Sequence, residues 1–170
     1  MTSELAALRA ELGRERWASR HDPLTGALNR RGLAEVLEPA GPPTSLGLLD
    51  LDQFKRFNEE SALMASGDEA LCLLASLLAS GRAEDVVGRW GGDEFVVLFP
   101  DTDPGGAAVR LDRFLSEARS LLRIGDEIVT FSAGTASIER VGGWRDALAD
   151  ANGALARAKR AGGALVLSAG

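Results

Sequence analysis

The run Asp85-Val86-Val87-Gly88-Arg89-Trp90-Gly91-Gly92-Asp93-Glu94-Phe95-Val96-Val97-Leu98-Phe99 holds two β-type stretches, Asp85 to Trp90 and Phe95 to Phe99. The four residues between them include a glycine pair, which admits positive φ, so the run predicts a β-hairpin whose turn carries two acids. Upstream, Ser45 to Leu51 reads as a mostly buried strand ending in Asp50 and Asp52. A helix is predicted from about Gln53, interrupted near Ser66-Gly67 and resuming from Asp68 through Leu78. Downstream, Pro104 to Leu122 reads as helix, Glu127 to Ile138 as strand, Trp144 to Arg160 as helix and Ala164 to Ser168 as a last strand. The order β-α-β-β-α-β predicts an α+β fold with a ferredoxin-like core sheet, helices on one face, extra N-terminal helices and a C-terminal strand. In that topology the first strand lies antiparallel to the second hairpin strand. The end carrying Asp50 and Asp52 then sits beside the turn carrying Asp93 and Glu94.

Residues 1–20 contain Leu5, Leu8 and Leu12 at helical spacing, with Thr2 or Ser3 available as N-cap. So narrow a stripe either packs on the domain or ends a coiled-coil stalk. A turn follows at His21-Asp22-Pro23, Asn29 caps a helix from Arg30 to about Leu37, and Pro42-Pro43 breaks it. The 170 residues thus divide into an N-terminal helix, 1–20, and one domain, 21–170. Hydrophobic residues at 45% beside charged residues at 26% fit a soluble globular chain. No apolar run is long enough to cross a bilayer, and Met1-Thr2-Ser3-Glu4 does not open a signal segment, so a cytoplasmic location is expected. A net charge of −6 excludes a broad basic surface for duplex nucleic acid. A single cysteine, Cys72, and a single histidine, His21, exclude an internal disulfide, a cysteine-ligated zinc and a His-rich metal cage. Acid-base or metal chemistry must then run on carboxylates and on Lys55 and Lys159, the only lysines.

Acids gathered at adjacent strand ends repel one another unless a cation joins them, and hard oxygen ligands select Mg²⁺, Mn²⁺ or Ca²⁺. On spacing alone a second reading stands beside this one: Asp93 and Glu94 as polar turn residues, Asp50 and Asp52 as helix caps.

Four motifs in order decide between them. Arg89-Trp90-Gly91-Gly92-Asp93-Glu94-Phe95 resembles the signature of GGDEF domains, the diguanylate cyclases. Asp22-Pro23-Leu24-Thr25-Gly26-Ala27-Leu28-Asn29-Arg30-Arg31 is similar to that family's opening motif. Leu49-Asp50-Leu51-Asp52-Gln53-Phe54-Lys55-Arg56-Phe57-Asn58 is similar to its first-strand motif, and Ala158-Lys159-Arg160-Ala161-Gly162 to its last-helix motif. Together they span roughly residues 21 to 165, which makes the joint match far more specific than any one of them.

The resemblance implies condensation of two GTP molecules into cyclic di-GMP with release of pyrophosphate, assisted by Mg²⁺ or Mn²⁺. It implies that Asp50, the Leu51 carbonyl, Asp93 and Glu94 hold metal and that Asp93 accepts the 3′-hydroxyl proton. Lys55 would stabilise the triphosphate in the transition state, Asn58 and Asp68 would read guanine, Lys159 would contact phosphate, and Gly91 and Gly92 would let the backbone approach the nucleotide. Arg82 and Asp85 occupy the place of the family's RxxD product-inhibition motif, with Arg113 as a secondary contact. Arginine suits phosphate or guanine O6/N7, and a carboxylate accepts from a guanine edge. A homodimer is implied as well, because one site cannot supply both the attacking hydroxyl and the second α-phosphate.

The sequence departs from the family pattern in three places. The stretch between Asn58 and Asp68 lacks the usual Gly-His pair and is one residue longer, and an extra helical residue rotates the downstream side chains by about 100°. Gly163 stands where the family usually has arginine, and Asn152 where it usually has aspartate. These changes admit an alternative reading, a catalytically weak or inactive domain that acts as a receptor for GTP or cyclic di-GMP.

Overall fold

The computed structural model describes residues 2–55, 65–139 and 142–169. The chain runs α1 (Thr2–Arg20), α2 (Arg30–Leu37), β1 (Thr44–Leu51), α3 (Ala65–Ala79), β2 (Val86–Arg89), β3 (Glu94–Pro100), α4 (Pro104–Leu121), β4 (Arg123–Ile124), β5 (Glu127–Ile128), β6 (Phe131–Ser137), α5 (Gly143–Arg160) and β7 (Val166–Ser168). Five strands form one sheet in the order β2-β3-β1-β6-β7. Central β1 is antiparallel to β3 and β6, and β7 adds parallel to β6. The expected β-α-β-β-α-β core is therefore present, with the first strand beside the second hairpin strand.

β1 is apolar on both faces, and both are covered. Leu49 and Leu51 join Phe95, Val97 and Phe99 under Leu71, Leu74 and Leu78 of α3 and Leu111 and Phe114 of α4. Leu46 and Leu48 join Val96 and Leu98 under Leu33 and Leu37 of α2 and Trp144, Ala147 and Ala151 of α5. The expectation of helices on one face is corrected accordingly: α3 and α4 cover one face, and α2 and α5 the other. Close approach of α5 to β6 depends on Gly134, where a Cβ would stand 2.0 Å from the Ala151 carbonyl oxygen and 2.5 Å from the Leu155 nitrogen.

Two local expectations are also corrected. The helix expected to resume at Asp68 starts earlier: α3 begins at Ala65 and runs through Ser66 and Gly67, with Asp68 in its first turn, and residues 56–64 lie outside the described residues. A glycine inside a helix costs about 1 kcal/mol, and the burial of Ala70, Leu71 and Leu74 just beyond outweighs it. The predicted strand from Glu127 to Ile138 is divided. Glu127–Ile128 pairs with Arg123–Ile124 around Gly125, whose φ is +60°, and only Phe131–Ser137 joins the main sheet.

At the N-terminus, Leu5, Leu8 and Leu12 are about half exposed, so the stripe of α1 does not pack on the domain. The helix end is nevertheless fastened to it by Asn29. The Asn29 Oδ1 accepts from the Gly32 amide at 2.9 Å, capping α2 as expected. Its Nδ2 donates to the carbonyls of Ser19 (3.1 Å) and His21 (3.3 Å), and its backbone amide donates to Arg20 at 2.8 Å. Arg20 also pairs with Glu35 of α2 at 3.0 Å.

Gly134→Ala forces two backbone segments apart and is expected to lower stability by about 3 kcal/mol, read as a lower midpoint in urea unfolding.

Candidate active site

The sheet register brings the sequence-predicted acids together. Asp50 lies opposite Glu94 across the β1–β3 ladder, and the Leu51 amide donates to the Asp93 carbonyl at 3.3 Å. The hairpin turn closes by donation from the Trp90 amide (2.8 Å) and the Gly91 amide (3.2 Å) to the Glu94 carbonyl. Neither turn glycine has positive φ, so the expectation that the pair serves the turn's dihedrals is corrected. A Cβ on Gly91 would meet only the Glu94 side chain, its carboxylate at 2.5 Å, and one on Gly92 would meet nothing within 4 Å. Folding therefore does not demand a glycine at position 92.

Lys159, in the last turn of α5, reaches across to the end of β1. Its ammonium donates to Asp50 Oδ1 and, at 3.1 Å, to the Leu51 carbonyl, and lies 3.1 Å from Asp52 Oδ1. The two β1 acids then differ sharply. Asp52 is saturated by Thr130 Oγ1 (2.9 Å), Ser132 Oγ (2.7 Å) and the Ala164 amide (2.9 Å), with its side chain 10% exposed. It fastens the chain after α5 and the strand β6 to β1. A side chain at Gly163, with φ at +77°, would crowd that carboxylate at 3.1 Å. Asp50 has Lys159 as its ion-pair partner. Among the described residues no three acid, histidine or cysteine side chains gather closely enough to hold a metal ion by themselves.

A clamp behind the turn was not legible as a contact in the sequence. Arg89 donates from Nε (3.2 Å) and Nη2 (2.6 Å) to the Gly92 carbonyl, and from Nη1 to both oxygens of Asp22 at 3.2 Å. Asp22 in turn accepts from the Thr25 amide (2.9 Å) and hydroxyl (2.8 Å). Burial works to raise the Asp22 pKa, but the hydrogen bonds from Thr25 and Arg89 outweigh it and hold the carboxyl below its usual range. Each partner falls in one of the quoted motifs, yet 67 residues separate them and spacing gives no hint that they meet.

Of the remaining predicted residues, Lys55 is exposed shortly after β1 and Asp68 is exposed at the start of α3. Asn58 lies outside the described residues. Arg82 and Asp85 border a cavity of about 530 Å³ with His21, Thr25, Ala75 and Ser76. The Asp85 side chain is only 3% exposed, and it accepts from the Arg82 amide at 3.1 Å and pairs with Arg110. Arg113 points elsewhere: it is 64% exposed and pairs with Glu117 at 3.3 Å. The arginine that pairs with Asp85 is Arg110, one helical turn before Arg113 on α4. The Arg110 guanidinium lies 4.8 Å from the Phe99 ring centre, and its Nη1 is buried with no hydrogen-bond partner among the described residues.

Crowding of acids leaves a mark on their titration. Burial raises the Asp50 pKa, Lys159 opposes this, and Asp93 and Asp52 add to it. For Glu94, burial followed by Asp50 and Asp93 raises the pKa, with Arg30 opposing. A carboxyl with a raised folded-state pKa binds its proton more tightly folded than unfolded. Stability therefore falls as pH rises through the unfolded value toward the folded one, and stays reduced at neutral pH. Glu94→Gln is expected to stabilise the protein near neutrality, with the gain vanishing below about pH 4; urea unfolding at the two pH values checks it.

Comparison with known proteins agrees with this geometry. The family model described as "Diguanylate cyclase, GGDEF domain" matches residues 19–164. Diguanylate cyclase DgcP of Pseudomonas aeruginosa is 35% identical over 173 residues, covering 95% of this chain and 26% of its own length. Diguanylate cyclase DgcM of Escherichia coli K12 is 44% identical over 93 residues, covering 50% of this chain and 22% of its own. The chain thus spans about a quarter of the length of these curated relatives. Among solved structures, the coiled coil and GGDEF domain of DgcB from Caulobacter crescentus, in complex with c-di-GMP, superposes with a TM-score of 0.88 at 27% identity, covering 99% of this chain and 95% of that one. Diguanylate cyclase SiaD of Pseudomonas aeruginosa, in complex with its activator SiaC, gives 0.82 at 32% identity, covering 99% and 70%. With the sheet order, the acidic strand ends and the family match in agreement, the chain belongs to the GGDEF family of diguanylate cyclase domains.

Proposed function

We propose that this chain is an active diguanylate cyclase domain that condenses two GTP molecules into cyclic di-GMP and two pyrophosphates. The observation that carries this reading is the β1–β3 register, which sets Asp50 and the Leu51 carbonyl beside Asp93 and Glu94. Two carboxylates and a carbonyl, completed by nucleotide phosphates, match the way Mg²⁺ is usually held. The ion, Mg²⁺ or Mn²⁺, would be held by Asp50, the Leu51 carbonyl and Asp93, with Glu94 beside them. When bound it neutralises phosphoryl charge and stabilises the departing pyrophosphate.

The chain's own groups do the rest. Asp93 accepts the proton of the 3′-hydroxyl as that oxygen bonds to the α-phosphorus of the second GTP and the bond to pyrophosphate breaks. Arg89 holds the Gly92 carbonyl, so the residue before Asp93 is fixed and the carboxylate starts in place. The open space at Gly92, which folding does not require, suits approach of a nucleotide to the turn. Lys55 and Lys159 serve phosphate oxygens, and Asn58 and Asp68 read the guanine edge. Adenine would leave those polar groups unpaired, which sets it apart from guanine.

Each domain holds one GTP, so two copies must meet face to face, and the exposed leucine stripe of α1 suits a stalk that pairs them. Arg82 and Asp85, beside the 530 Å³ cavity, form the regulatory site for product. Asp85 is already engaged by Arg110, which brings a second arginine to that site, with Arg113 as a secondary contact.

Incubation with GTP and Mg²⁺, with products identified by mass, should yield cyclic di-GMP. A dimeric sample that makes none would sink the proposal. Asp93→Ala should remove product formation by about 10³-fold or more, since it takes away a proton acceptor and a metal ligand together. Arg82→Ala should leave synthesis running at product concentrations that stop the unaltered chain, as a progress curve would display.

A further inference from the structure

Two of the oxygens assigned above to the divalent cation, Asp50 Oδ1 and the Leu51 carbonyl, are both held by the ammonium of Lys159. That lysine was expected to contact phosphate. It is one-third exposed, and Asp50 is one-quarter exposed, so the contact is partly desolvated and not a fully solvated surface pair. Asp52, 3.1 Å from the same ammonium, has three other donors, whereas Asp50 has the lysine as its ion-pair partner. Carboxylates that crowd at a strand end need a cation, and here the chain supplies one of its own.

We propose that Lys159 is an internal place-holder for the divalent cation. In the free protein it neutralises Asp50 and satisfies the Leu51 carbonyl; when metal and nucleotide arrive together it yields those oxygens and moves onto phosphate. This rests on the reading of the site as the metal centre of a cyclase. The physical argument is exclusion. An ammonium and a divalent cation repel each other and cannot share the same two oxygens, so binding of metal alone must displace the lysine without offering it another anion. Metal that arrives with a triphosphate brings that anion along. The ammonium then loses one charge partner and gains another, and the side chain, compact and flexible, travels a short way. Lys159 therefore works against metal alone and in favour of the metal–nucleotide complex.

The consequence is a pair of effects of opposite sign. Titration of Mn²⁺ alone into the full chain at about pH 8, where the carboxyls are ionised, should show tighter binding in both Lys159→Met and Lys159→Gln, roughly tenfold for a partly buried ion pair. The same variants should bind GTP with Mn²⁺ more weakly than the unaltered chain. A lysine that merely packs, or one that serves phosphate alone, would not strengthen metal binding. Mn²⁺ affinity unchanged or reduced in both variants overturns the place-holder role. Asp50→Asn separates the two levels of the argument. If it removes Mn²⁺ binding while the lysine variants bind like the unaltered chain, the metal centre stands and the place-holder fails. If Mn²⁺ binds neither the unaltered chain nor the lysine variants, the metal centre falls and the place-holder with it.

Discussion

Everything at this site depends on the antiparallel pairing of β1 with β3, which sets Asp50 directly across from Glu94. Like charges opposite each other on one sheet face are unfavourable. A strand pair selected for stability alone would not place them there. The register cannot slip to relieve them. A shift of one residue would turn Leu46 and Leu48 out of one core layer and Leu49 and Leu51 out of the other. Burial on both faces of β1 thus locks the acids into mutual repulsion, and the pKa values of Asp50 and Glu94 are raised first by burial and further by neighbouring carboxylates.

Around this fixed pair the chain has built supports of three kinds. Asp52 takes donors from β6 and from the segment after α5, holding the end of β1 in place. Arg89 ties the carbonyl of the turn to Asp22, outside the sheet. Lys159 brings a positive charge from α5. Each of the three comes from a different element. Asp50 and Glu94 themselves sit on paired strands of the central sheet, the kind of element that positions a side chain more closely than a loop does.

The alternation of apolar and turn residues made the hairpin, the central strand and the crossover helices legible, because those signals are local. The same residues also placed Asp50 and Asp52 beside Asp93 and Glu94, once topology was assumed. What spacing could not disclose was partnership at a distance. Asp50 and Asp52 look equivalent in sequence, and only the donors of Thr130 and Ser132 set them apart. Arg110 and Arg113 are one turn apart on α4, and which of them faces Asp85 depends on how that helix is rotated against Phe99. The helix start predicted at Asp68, after Gly67, came three residues late for a related reason: a local cost was read without the packing energy that offsets it. Two-sided coverage of the sheet was in fact written in β1, whose unbroken apolar run lacks the alternation of a strand with one wet face.

Asn29 carries a mechanical consequence. By capping α2 and at the same time binding the carbonyls that end α1, it leaves no slack between the two helices. A helix of 19 residues is about 28 Å long, so it behaves as a lever whose fulcrum is the Asn29 junction, backed by the Arg20–Glu35 pair. A tilt of about 10° at that fulcrum sweeps the far end through roughly 5 Å for a rod of that length. In the opposite direction, each ångström of displacement at the tip becomes about 2° of rotation at the junction for a rod of that length.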